Sequence, residues 1–276
     1  MEHYGGQAVI EGVMMKSSKN IAIAVRMPDG KIKIKKENLA KRKKWIRAPF
    51  IRGITMLVEM LIIGIKALIW SADQQLGKEE KISKKEVTLT IILSMLFAVG
   101  IFVVLPFFLT GFIVKQGFWF NLIDGLIRVA IFVLYILIIS LFSDVKTLFQ
   151  YHGAEHKAVN AYESEKKMDY KTVRKYTTLH PRCGTMFIFI VLLLSIILFS
   201  LIIWDQWYIR LGSRIVLIPV IASISYELLK LGDKHRDNIF LKIMTYPGLL
   251  LQKITTREPS KKQIEVAVKA LQAVVK

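Results

Sequence analysis

Residues 87–114 read VTLTIILSMLFAVGIFVVLPFFLTGFIV, a long run without a charged side chain. A helix needs about 20 consecutive apolar residues to cross a hydrocarbon core of about 30 Å, so this run is long enough to span a bilayer. Pro106 lies inside it and predicts a kink that neighbouring helices would accommodate. Three further long and mostly apolar runs lie at 118–142, 184–204 and 214–231. The sequence therefore predicts a membrane α-helical protein with four transmembrane helices.

The distribution of charge predicts the orientation of these helices. The 276-residue chain is 53% hydrophobic and yet carries a formal net charge of +19, a combination that is rare in soluble domains. Residues 1–88 hold 18 Lys and Arg, residues 144–184 hold 8, and the tail from residue 230 holds 10, which together make 36 of the 40 basic residues. Because basic residues accumulate on the cytoplasmic side, both termini and the central loop are predicted to be cytoplasmic.

The apolar stretch at 54–70 has a different interpretation. Glu59 and Lys66 lie seven residues apart, and hence on the same helical face. If this stretch spanned the membrane, it would leave either the basic cluster at 31–52 or the one at 78–85 outside the cell. An amphipathic helix in the membrane plane, or a re-entrant helix, therefore fits the charge pattern better than a fifth transmembrane helix.

The remaining segments predict a small cytoplasmic α+β layer. Residues 21–27 and 31–35 alternate with a period of two around Pro28-Asp29-Gly30, which predicts an N-terminal β-hairpin, and the segment 5–14 is a candidate for another strand. Ser260 and Gln263 form a capping-box pattern before an apolar stripe, which predicts a C-terminal amphipathic helix. The expected regions are the β-hairpin at 1–46, the amphipathic or re-entrant helix with a basic linker at 47–86, transmembrane helices at 87–142, a cytoplasmic loop at 143–183, transmembrane helices at 184–231 and a cytoplasmic tail at 232–276.

The central loop begins with a pattern that is typical of metal sites. Residues 151–157 read YHGAEHK, so that in a helix His152 and His156 lie one turn apart on the same face. With Glu155 between them, the run has the pattern H-x-x-E-H, the inverted form of the zinc-protease signature. We therefore predict a divalent metal site, with zinc as the expected ion and Glu155 as the general base that takes a proton from a metal-bound water.

Further candidate ligands lie elsewhere in the chain. The central loop ends in HPRCG, and folding it back would bring His180 and Cys183 to the histidine pair. Glu227, near the cytoplasmic end of the fourth run, is a further candidate, because inverted zinc proteases take a distant downstream glutamate. The predicted metal ligands are thus His152, His156, His180, Cys183 and Glu227.

Simpler explanations exist for each of these residues. Histidines at a membrane interface often only hydrogen-bond to backbone carbonyls, and a lone cysteine such as Cys183 is more often a packed residue than a nucleophile. Glu227 would then pair with Lys230 or Arg236. The site is in that case structural, and the chain is a non-catalytic membrane-biogenesis or scaffold protein.

The basic cytoplasmic face suggests partners for such a scaffold. Its charge would attract a ribosome, anionic lipid or an acidic membrane-protein partner, whereas no DNA partner is expected. The run Lys41, Arg42, Lys43 and Lys44, followed by Trp45, is the candidate binding segment for anionic headgroups of the bilayer.

Several runs together resemble the bacterial YqhQ-like membrane protein family, whose function is unknown and for which a metal-dependent enzyme has been suggested. They are GGQAVIEGVMM (5–15), YHGAEHK (151–157), HPRCGT (180–185), PGLLLQ (247–252), TTREP (255–259) and QIEVA (263–267). The resemblance covers essentially the whole chain and implies a multi-span protein of the bacterial cytoplasmic membrane. It places the histidine-containing runs among the family's characteristic motifs, and it implies no particular reaction or substrate. This chain has Ser260-Lys261-Lys262 where acidic residues are more usual, so no cation site is expected there.

Overall fold

The computed structural model describes residues 4–40, 46, 48–76, 83–202, 206–235 and 238–275, without the side chains of residue 233 and residues 240–245. The run Lys41, Arg42, Lys43 and Lys44 lies outside these ranges, so its contact with anionic headgroups stays a prediction.

The N-terminal residues form a four-stranded antiparallel sheet in which consecutive strands are neighbours. Its strands are β1 (Gly5–Val9), β2 (Gly12–Lys16), β3 (Asn20–Arg26) and β4 (Ile32–Asn38). The predicted hairpin is confirmed as β3–β4, and Gly30 in its turn takes a φ of 84°, which glycine adopts without strain. The segment predicted to add one strand supplies two, because the chain reverses between β1 and β2.

The two faces of this sheet pack against different helices. Successive side chains of a strand point to opposite faces. One face packs on α5 (Ser143–Glu165) and α11 (Lys261–Val275), and the other packs on α1 (Ile51–Asp73). The first face contributes Val13, Met15, Ala22 and Ala24, and the second contributes Val9, Met14, Ile21, Ile23 and Val25. The sheet is therefore a layer between the α5–α11 pair and α1.

The apolar runs form helices close to the predicted positions. Helix α2 (Lys84–Val99) continues through a π-helical turn (Gly100–Val104) into α3 (Leu105–Ile113). This turn ends two residues before Pro106, which cannot donate the backbone hydrogen bond of a regular helix, and local π-helical adjustments in membrane helices accommodate this loss. The other helices are α4 (Gly117–Ile139), α6 (Tyr170–Val173), α7 (Gly184–Ser200), α8 (Trp207–Val216), α9 (Ile218–Lys234) and α10 (Ile239–Thr255).

Three helices in the described ranges are long and apolar enough to cross a membrane: Ile51–Asp73, Lys84–Ile113 and Gly117–Ile139. The pair Trp207–Val216 and Ile218–Gly232, bent by 45°, makes a fourth if it counts as one span. The apolar helices are thus compatible with a membrane protein, whereas the predicted set of spans differs in two places. Helix α1 is long enough to cross, and the apolar helix Gly184–Ser200 is shorter than the run predicted at that position.

Helix α1 packs along the sheet with one face only. Nε2 of Gln7 in β1 donates to the carbonyl oxygen of Gly64 at 3.2 Å, and the hydroxyl oxygen of Ser71 accepts from the N–H of Ile10 at 3.1 Å. The opposite face exposes the large apolar side chains of Ile51, Ile54, Val58, Leu61, Ile62 and Leu68. The helix is therefore amphipathic in its packing, as its sequence predicts.

A buried charge network joins α4 to α8. Oδ2 of Asp124 accepts hydrogen bonds from Nη2 of Arg128 at 3.0 Å and from Nε of Arg214 at 3.1 Å. Arg214 also donates to Oδ1 of Asn121 at 2.9 Å and is only 1% exposed. The i,i+4 spacing of Asp124 and Arg128 indicates the first pair, while the third member comes from another helix and required the tertiary structure.

Candidate metal centre

Helix α5 carries the H-x-x-E-H run on buried surface. Because the helix is regular, His152 and His156 lie one turn apart, with ring centroids separated by 4.4 Å. A Cβ atom at Gly153 would lie 2.1 Å from the carbonyl oxygen of Arg257. Only glycine therefore lets α5 approach the segment that directly follows α10, whose last residue, Thr255, holds His152.

His152 bridges two distant parts of the chain. Its Nδ1 lies 2.9 Å from the carbonyl oxygen of Thr255, and its Nε2 lies 3.1 Å from Sγ of Cys183. A carbonyl oxygen can only accept, so Nδ1 carries a proton, and in the neutral imidazole Nε2 then keeps its lone pair. Cys183 is the N-cap residue of α7, and its sulfur also lies 3.3 Å from Oγ1 of Thr185.

His156 repeats this arrangement one turn later. Its Nδ1 lies 2.5 Å from the carbonyl oxygen of Thr178, so that Nε2 again keeps the lone pair. One ligand atom from each of His152, His156 and Cys183 lies within 4.8 Å of the others, and we call these three residues the His-His-Cys group. Histidines that bind metals usually donate their second N–H to a carbonyl or carboxylate, and both histidines of the group do so.

Glu155 adjoins the His-His-Cys group from the side of the sheet. Its Oε2 lies 3.4 Å from Nε2 of His156, and its side chain is buried. Burial raises the pKa of Glu155, against the opposing influence of His152, His180 and the N–H of Gly6. A carboxyl group in this position can exchange a proton beside the imidazole nitrogens, which is the property that a general base requires.

His180 lies next to the group without belonging to it. Its ring centroid is 5.5 Å from that of His156, and its Nδ1 accepts from the N–H of Arg182 at 3.3 Å. The amide of Gln252 holds its backbone through two hydrogen bonds, of 2.8 Å to the N–H and 2.9 Å to the carbonyl oxygen. Burial lowers the pKa of His180, against the opposing influence of its hydrogen bond with Glu163. The structure therefore places this predicted ligand in the wall of the site.

Glu163 makes the stability of this wall depend on pH. Burial opposes its ionisation, but His180 and the ion pair with Arg182 outweigh burial and lower the pKa of Glu163 to about 2. A lowered pKa stabilises the fold above the unfolded value of 4.5, and this contribution is lost as the pH falls from 4.5 to about 2. We expect Glu163→Gln to lower the unfolding free energy by about 1–3 kcal/mol at pH 7. Between pH 4.5 and about 2, the unfolding free energy of the variant should fall less than that of the wild type. Thermal unfolding against pH measures this, and parallel declines of variant and wild type would contradict it.

Glu227, a predicted metal ligand, is not among the residues of the His-His-Cys group. Its carboxylate forms an ion pair with Arg52 of α1, and its Oε1 also accepts from the N–H of Phe50 at 3.3 Å. The pairing follows from the close packing of α1 on α9, where a Cβ atom at Gly53 would lie 2.8 Å from Cα of Ser223. The ion-pair partner that the structure shows is thus a residue of α1, and Arg236 lies outside the described residues.

Sequence reasoning missed the residues that position the site. Thr178 and Thr255 act through backbone carbonyls, which no side-chain pattern reveals, and Gln252 acts through an amide that carries no reactive chemistry. The signal that could have found two of them is the resemblance itself, because Gln252 and Thr255 lie in the matching runs PGLLLQ and TTREP.

Comparison with known proteins gives the family of the chain. Residues 48–276 match the family model described as "Protein of unknown function (DUF1385)". "Uncharacterized protein YqhQ" of Bacillus subtilis (strain 168) is 36% identical over 288 residues, which cover 97% of this chain and 90% of that protein. No solved structure matches the chain. The chain therefore belongs to the YqhQ-like DUF1385 family.

Proposed function

We propose that the chain is a metal-binding protein of the bacterial cytoplasmic membrane that holds one divalent ion in the His-His-Cys group. The observation that carries this proposal is the orientation of the two imidazoles, each of which donates through Nδ1 and keeps the lone pair of Nε2. Two imidazole nitrogens and one thiolate are a donor set typical of zinc, and three protein ligands leave a fourth position open. Zinc is therefore the ion we expect.

An open zinc site of this kind supports hydrolysis, and the proposed activity is a hydrolase acting on a peptide or lipid at the cytoplasmic surface. When bound, zinc would lower the pKa of a coordinated water to about 7. Glu155 is the residue placed to accept the proton, because its Oε2 lies 3.4 Å from Nε2 of His156. The N–H of Gly6 in β1 orients this carboxylate, so the sheet contributes to the site.

Helix α1 is proposed to lie in the membrane plane at the cytoplasmic surface. Its sheet-facing side is held by Gly64 and Ser71, and its first turn is tied to α9 by the ion pair of Arg52 and Glu227. A spanning helix would draw the attached sheet into hydrocarbon, whereas an in-plane helix buries only its free apolar face. The basic residues on either side of α1 then both stay cytoplasmic.

Metal analysis of the full chain, purified in detergent without chelators, tests this function. We expect about one zinc per chain by plasma mass spectrometry, because the site offers one set of three ligands. The double variant His152→Ala/His156→Ala should lose the metal. Glu155→Gln should retain it and lose hydrolysis, because Glu155 is the proposed proton acceptor and is not one of the three proposed ligands. Wild-type protein without metal would contradict the proposal.

A second function, the non-catalytic scaffold, is favoured by the same hydrogen bonds. His152 and His156 tie α5 to the carbonyls of Thr255 and Thr178, and such links would pin the central loop without a metal. The basic cytoplasmic face would then bind a ribosome, anionic lipid or an acidic partner through its charge. This function predicts cosedimentation with ribosomes that weakens at high salt and is unchanged in Glu155→Gln.

A further inference from the structure

A cavity of about 640 Å³ lies where α4 leads into α5, beside the end of α10. Leu137 from the last turns of α4 and Ile254 from α10 contribute apolar wall. Three basic side chains also line the cavity, those of Lys146, Lys253 and Arg257. Since α4 is long and apolar enough to cross a membrane, the cavity at its end lies at the depth where lipid headgroups are expected.

The charges around this cavity are not balanced. Its one acidic residue, Glu258, forms an ion pair with the buried Lys157. Across the part of the chain that the structure describes, Lys146, Lys253 and Arg257 form no ion pair. Arg257 is held in place by a hydrogen bond of 3.0 Å from Nη2 to the carbonyl oxygen of Ser140. Three cationic side chains therefore border the cavity without a carboxylate to neutralise them.

We propose that this cavity binds the phosphate group of an anionic phospholipid. Ammonium and guanidinium groups together suit a phosphate, to which they donate charge-assisted hydrogen bonds. Basic pockets at the cytoplasmic ends of membrane helices bind anionic headgroups in this way. The apolar wall of Leu137 and Ile254 suits the start of the acyl chains.

This site is separate from the His-His-Cys group, although the two are adjacent. The carbonyl oxygen of Thr255 holds His152, and Thr256 and Arg257, the next two residues, line the cavity. None of the three cations is a metal ligand. The inference therefore stands whether or not the chain binds zinc.

Native mass spectrometry of the full chain in detergent tests the proposal. The probes are phosphatidylglycerol and phosphatidylcholine with the same acyl chains, added in equal amounts. We expect retention of phosphatidylglycerol, reduced at least about tenfold in Lys146→Gln/Lys253→Gln because two of the three charges that attract the phosphate are lost. Lys171→Gln/Lys175→Gln is the matched control, since both lysines are exposed and lie elsewhere, near α6. All four lysines are exposed, so the variants should fold as the wild type does.

A third arm separates the two sources of phosphate. Inorganic phosphate at millimolar concentration should fail to displace phosphatidylglycerol if a lipid headgroup is the ligand, because the acyl chains add to its affinity. Displacement would support the phosphate site and assign its ligand to a soluble phosphate. Equal retention of the two lipids, or wild-type retention in Lys146→Gln/Lys253→Gln, would overturn the proposal.

Discussion

Asp124→Ala is expected to lower the free energy of unfolding by about 3–5 kcal/mol, because removing one partner of a buried ion pair leaves the other charge uncompensated. Oδ2 of Asp124 accepts from both Arg128 and Arg214, and Arg214 is almost entirely buried. Loss of this carboxylate therefore leaves two guanidinium groups without their charge partner. Denaturant titration in detergent micelles, followed by a helical signal, measures the effect.

Two further variants show whether the loss comes from the buried charge. Asp29→Ala removes an exposed carboxylate that pairs with Lys31 at 3.6 Å, and we expect it to stay within about 0.5 kcal/mol of the wild type. Adding Arg214→Met to Asp124→Ala should recover part of the lost stability, because it removes one of the two orphaned charges. Equal effects of Asp124→Ala and Asp29→Ala would contradict the role of the network.

Cys183→Ala is expected to weaken zinc binding at least about 100-fold. Replacement of a residue that only orients a metal ligand costs about 10–100-fold in affinity, so loss of one of three proposed ligands should cost more. The sulfur lies 3.1 Å from Nε2 of His152 and is buried, so water cannot replace it without rearrangement. Competition for zinc with a chromophoric chelator measures the affinity.

Thr185→Ala is the matched control for this prediction. The Oγ1 of Thr185 lies 3.3 Å from the same sulfur, so the variant removes a neighbour of the ligand and leaves the ligand in place. We expect a loss of at most about tenfold. Similar affinities of Cys183→Ala and the wild type would remove Cys183 from the site and leave the two histidines as structural links.

Local patterns predicted the elements that depend only on neighbouring residues. The apolar runs give helices near 84–113 and 117–139, and the period-two segments around Gly30 give the β3–β4 hairpin. The helical spacing of His152 and His156 likewise fixes the edge-on contact of their rings on α5. Helix α10 was not predicted, because Pro247 and the basic residues of the tail obscure its apolar periodicity.

Contacts between distant segments could not be predicted in the same way. Sequence reasoning grouped Glu227 with the histidines. In the structure α1 packs on α9, and Glu227 pairs with Arg52, 175 residues earlier in the chain. The sheet between α1 and the α5–α11 pair follows from the choice of partner for each apolar face, and apolar faces are chemically alike. Only the folded chain, in which all of these faces are buried at once, determines that choice.

The sequence by itself determined the apolar helices, the hairpin and the histidine pair, because backbone geometry sets the periods of 3.6 and 2 residues on which they depend. Only the tertiary structure decided that Cys183, 31 residues from His152, and Thr255, 103 residues from it, meet on that one ring. It also decided that Arg214 joins Asp124, 90 residues earlier in the chain. The physical reason is that these contacts depend on which helices pack together, and packing is a property of the whole chain.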